Sequence, residues 1–109
     1  MSTQAEYEAA YFTLLRARED LDHLHRYESI LEEEQTRLTQ WIAMLRDQSG
    51  SEVPPVIRRR LDDSVKPTIE AIQQRILLVQ SELKSLPKRV EAQRVFVHEC
   101  EIEVNALKP

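Results

Sequence analysis

The sequence predicts an all-α protein built as a long antiparallel helical hairpin of coiled-coil type. Three observations carry that prediction. Over 65–107 the residues Val65, Ile69, Ile72, Ile76, Val79, Leu83, Leu86, Val90, Gln93, Val97, Cys100, Val104 and Leu107 follow one another at alternating spacings of four and three. Eleven of these thirteen are aliphatic in a chain that is 41% apolar, so the row is a heptad seam. The second observation is composition: one glycine in 109 residues leaves too few turn residues for a sheet protein, and 31% charged residues suits helices with solvated faces. The third is a single strong break at Gly50 and Pro54-Pro55, which separates two stretches of nearly equal length.

The first helix is expected over 4–47. Thr3-Gln-Ala-Glu6 has the form of a capping box, in which the threonine hydroxyl and the glutamate carboxylate each accept from the other residue's amide. Tyr7, Ala10, Leu14, Ala17, Leu21, Leu24, Leu31, Leu38, Ile42 and Leu45 then hold a heptad, with Glu28 and Gln35 at two a positions. Tyr27 and Trp41 each stand one residue before an a position and are expected to rotate the stripe slightly.

A turn is predicted over 48–54, because a diproline forbids helix at the residue before it. Pro55 suits the first position of a new helix, whose amide has no intrahelical partner in any case. A short connecting helix is expected over 55–63, bending into the long helix over 65–107, with Ser64 as its cap and Pro67 in its first turn. The alternative is one helix running through Pro67. Pro87 lies inside the seam, but Leu83, Leu86, Val90 and Gln93 keep their phase across it, which predicts a kinked continuous helix. Level rods would set Leu14 near Val97. Residues 3–48 hold ten acids and five bases and 55–109 ten bases and eight acids, so the two favour each other over self-pairing.

A two-helix seam buries only a narrow stripe, and further apolar residues lie off it. Tyr7, Tyr11, Phe12 and Leu15 in the first helix and Val95, Phe96 and Ile102 in the second are expected at the same, termini-bearing end. They form the candidate protein interface, most simply a homodimer closing into a four-helix bundle, or a docking site for another protein. Leu77 and Leu78 form a second, smaller excess.

Other chemistry is thinly represented. Asp22 with His25 and Glu19 with His23 have helical metal-ligand spacing, but they supply only part of the set a ferritin-like di-iron bundle needs, so no metal and no cofactor is expected. Arg58-Arg59-Arg60 and Lys84, Lys88, Arg89 and Arg94 are the basic features, and a small nucleic-acid regulator is the second rival. The net charge of −4 and the absence of interleaved aromatics oppose it. Cys100, the sole cysteine, occupies a d position and is expected as a small buried hydrophobe in a reducing compartment. With no membrane span and no phosphate loop or nucleophile-base arrangement in view, the sequence predicts a non-enzymatic cytoplasmic assembly or adaptor protein with no small-molecule substrate.

Trp41-Ile42-Ala43, the predicted hairpin and the chain length resemble the short secreted helical hairpins with a Trp-x-Gly turn, although here the glycine position is alanine and the tryptophan precedes the turn. The charge-rich long first helix and the proline inside the second are similar to tubulin-folding cofactor A. Neither resemblance extends to a functional residue.

Overall fold

The computed structural model describes residues 3–47 and 53–109. Two α-helices account for nearly all of them, α1 over Gln4–Asp47 and α2 over Pro55–Leu107, and no strand occurs among the described residues. The chain is a helical hairpin. Most of the turn expected over 48–54, Gly50 included, lies outside the described residues.

Helix α1 begins where the capping box placed it. The Glu6 amide donates to Thr3 Oγ1 at 3.1 Å, the Thr3 amide donates to Glu6 Oε2 at 3.3 Å, and the Tyr7 amide closes the first turn on the Thr3 carbonyl. Helix α2 starts at Pro55, and the Arg58 amide donates to the Pro54 carbonyl at 2.9 Å. Pro55 thus holds the first helical position, where a proline removes no hydrogen bond.

The short connecting helix over 55–63 does not form as a separate element. These residues are the first turns of α2, which continues through Pro67 and Pro87. Ser64, expected as a cap, instead donates its hydroxyl to the Leu61 carbonyl at 2.9 Å within the helix. Both prolines lie on exposed faces, so the carbonyls they leave without an amide partner, at Asp63 and Leu83, can turn to water. The sequence on either side keeps its buried face in phase, and packing outweighs the roughly 3 kcal/mol that each interior proline costs.

By internal packing the chain divides into two units, one combining Met1–Ser29 with Ser85–Pro109 and the other spanning Ile30–Lys84. In the first, Leu14, Ala17, Val97, Cys100 and Val104 form a buried cluster against which Tyr7, Ala10 and Leu21 pack. Leu14 and Val97, expected to lie level, therefore share one core. In the second, Leu31, Ile42, Ile72 and Val79 are buried, and Val79 is fully enclosed. All thirteen seam positions of α2 and all twelve of α1, including Glu28 and Gln35, are buried or half-buried. Tyr27 is also half-buried, but Trp41 stands out at 49% exposure beside buried Ile42, so the stripe does not rotate there.

Candidate functional site

Among the candidate interface residues, those on α1 form a connected group. Tyr7 rests on the core cluster of its unit and stacks on Tyr11, with ring centroids 6.3 Å apart. Tyr11 meets Phe12 edge-on at 6.5 Å, and Phe12 shares a shallow outer groove with Leu15. Exposure rises outward along the group, from half-buried Tyr7 to 67% at Phe12. The reason is helical periodicity: Tyr7 is a seam position, and Tyr11, Leu15 and Phe12 fan away from it on one flank.

Val95, Phe96 and Ile102 belong to the same unit, and all three are exposed. They do not join the α1 group. Val95 and Ile102 are seven residues apart and share the outer face of α2, while Phe96 immediately precedes buried Val97. Glu101 immediately follows buried Cys100, so it flanks the seam on the side opposite Phe96. Glu101 accepts from Arg18 at 3.4 Å and lines a groove with Tyr7 and Tyr11, which places the α1 aromatics on the Glu101 side. Among the described residues no ring contact links Phe96 to Tyr11 or Phe12. The expected single patch is therefore divided: the α1 group lies on the Glu101 flank, Phe96 on the opposite flank, and Val95 and Ile102 on the outer face of α2.

The polar groups of this unit support packing. Gln93, the polar exception in the seam, donates its side-chain amide to the Ala17 carbonyl at 2.9 Å. The small Ala17 side chain leaves room for it to reach that backbone. Burial pushes the Cys100 thiol up from its ordinary range, reinforced by the nearby carboxylates of Glu103 and Glu99, so Cys100 is a protonated, enclosed thiol at neutral pH.

The metal-spaced residues do not assemble. Glu19 and His23 approach to 3.6 Å along α1, and His98 lies 4.0 Å from Glu101. Among the described residues no three His, Cys, Asp or Glu side chains are placed to hold a metal ion. Of the arginine run, Arg58 is half-buried, and Arg59 and Arg60 are exposed. Among the described residues, no helix is long and apolar enough to cross a membrane.

Sequence reasoning missed most of the apolar surface in the unit spanning Ile30–Lys84. There Ile30, Trp41, Met44, Ile57 and Leu61 are exposed, in addition to the anticipated Leu77 and Leu78. The signal was present as a second row at spacings of three and four, 30, 34, 37, 41 and 44, interrupted by Glu34 and Arg37. Those two charges hide the row from a search for continuous apolar runs.

The sequence matches no family model, and no curated protein and no solved structure matches it significantly.

Proposed function

We propose that this chain is a non-enzymatic coiled-coil assembly or adaptor protein that acts by helix packing, with a second copy of itself or with a protein partner. One observation carries the reading. Among the described residues, fourteen large apolar side chains are exposed, against eleven apolar residues buried in the core. A hairpin with this balance gains more by covering its flanks than by standing alone. The Tyr7, Tyr11, Phe12 and Leu15 group supplies aromatic anchors of the kind that dominate protein interfaces, and Val95, Phe96 and Ile102 supply a second contact in the same unit. The surrounding charges on both helices select among partners. The one cysteine, free and enclosed in the core, agrees with service in the reducing cytoplasm.

The test is light scattering or sedimentation on the wild type and on the double variant Phe12→Glu/Phe96→Glu. Both residues are exposed, so the variant keeps the hairpin and loses whatever association the terminal apolar surfaces carry, with a second copy or with a partner. A wild type that is monomeric at tens of micromolar and recovers no protein from native lysate sinks the reading.

A further inference from the structure

In the unit spanning Ile30–Lys84, α1 carries Ile30, Trp41 and Met44 at c and g heptad positions, 59%, 49% and 63% exposed. Helix α2 carries Ile57, Leu61 and Leu78 at the same kinds of position, 50%, 40% and 61% exposed. In an antiparallel pair the g rows of the two helices lie on the same side of the seam. Glu34 and Arg75 are both g residues, and their two-bonded ion pair joins the rows directly. The six apolar side chains therefore share one flank.

That flank is shaped to receive its own copy. Stepping seven residues along both helices from the Glu34–Arg75 pair sets exposed Trp41 beside Thr68, which is small and exposed. On α2 the c and g rows are low at Ser64, Thr68 and Ala71, between the larger Leu61 and Leu78, and the Trp41 side of α1 forms a ridge beside that trough. Under a two-fold rotation the ridge of one copy enters the trough of the other. The charges agree: the c and g rows of this unit hold Glu34, Arg37, Arg75 and Glu82, two of each sign, so two copies meet without net repulsion. The area is also sufficient. At about 200 Å² for a fully exposed large side chain, the six leave on the order of 650 Å² of apolar surface in water, close to the roughly 800 Å² each partner commits to a standard interface.

We propose that this flank is the face on which two copies of the chain pair, forming a four-helix bundle in the Ile30–Lys84 unit. The inference rests on the assembly reading above and moves the self-contact away from the Tyr7, Tyr11 and Phe12 group, leaving that group for another partner.

Trp41 is the sole tryptophan and stands on the flank, so its emission reports whether the flank is covered. Wild type, Ile30→Glu, Met44→Lys and Phe12→Glu/Phe96→Glu are compared by sedimentation equilibrium and Trp41 emission over about 1 to 100 µM, with circular dichroism to verify helix content. The wild type is expected to dimerise, and its Trp41 emission to shift to shorter wavelength over the same concentrations. Ile30→Glu and Met44→Lys raise the dissociation constant by about tenfold or more. Phe12→Glu/Phe96→Glu leaves both readouts unchanged. The two flank variants back each other should one lose helix content. A dimer that forms without moving Trp41 emission, or that is lost only in Phe12→Glu/Phe96→Glu, overturns this proposal and leaves the terminal patch standing. A monomer at every concentration overturns it as well. So does a monomer whose Trp41 emission shifts only on adding a native lysate fraction, because that assigns the flank to a different protein.

Discussion

Gln93 shows how one polar side chain can serve a seam without an ion pair. Its amide reaches the Ala17 carbonyl, which as a helix carbonyl keeps an intrahelical amide in any case, so the bond satisfies Gln93 more than it rescues Ala17. Gln93→Leu is therefore expected to be neutral or to gain up to about 1 kcal/mol in urea unfolding, from added apolar burial. Ala17→Leu should instead lose about 1 to 3 kcal/mol, because it overfills a site that is 2% exposed. The sequence marked Gln93 as the exception but could not name its partner, since a bond to main chain leaves no residue-type signature. Glu34 is a contrasting case. Its hydrogen bonds from Arg75, with the charges of Arg75 and Arg37, outweigh desolvation and hold its carboxyl below the ordinary glutamate value. A depressed carboxylate stabilises the fold above its unfolded pKa and loses that contribution as pH falls through the lowered folded value. Thermal melts of wild type and Glu34→Gln should thus differ most near neutrality and converge in acid.

At the level of elements, signals that depend on a few adjacent residues were legible. The Thr3 and Glu6 box set the start of α1, and Thr3→Ala is expected to cost about 1 kcal/mol in chemical denaturation. The continuity of the helix through Pro87 was also legible, because phase on both sides constrained it. Pro67 did not, since only Val65 precedes it in the seam and one residue cannot carry a phase. A proline in a first helical turn and one in an interior turn look alike from sequence, and the choice was made by packing further along α2. Pro87 is interior to α2 and exposed. Pro87→Ala restores an amide to the Leu83 carbonyl and is expected to stabilise the protein, by at most about 3 kcal/mol, as measured by urea midpoint at constant m.

For the molecule as a whole, the heptad rows specified which residues face inward far better than which outward faces belong together. Inward positions obey one period on each helix. Outward faces depend on the side of the seam to which each residue rotates, which only a cross-helix contact fixes, as Arg18–Glu101 does in one unit and Arg75–Glu34 in the other. This is why Tyr11 and Phe96, both correctly placed in one unit, fall on opposite flanks. The exposed apolar surface has a thermodynamic consequence. If folding and association are coupled, unfolding a dimer releases two chains, and each tenfold rise in protein concentration adds about 1.4 kcal/mol to the apparent stability of the dimer. The melting temperature of the wild type is therefore expected to climb with concentration, as followed by helix ellipticity over two decades of protein. Phe12→Glu and Ile30→Glu, tested singly, divide the outcome between the two units: the substitution that flattens the dependence identifies the unit whose contact is coupled to folding. A melting temperature independent of concentration in the wild type means that the hairpin's seam suffices, and that its exposed flanks add nothing to stability.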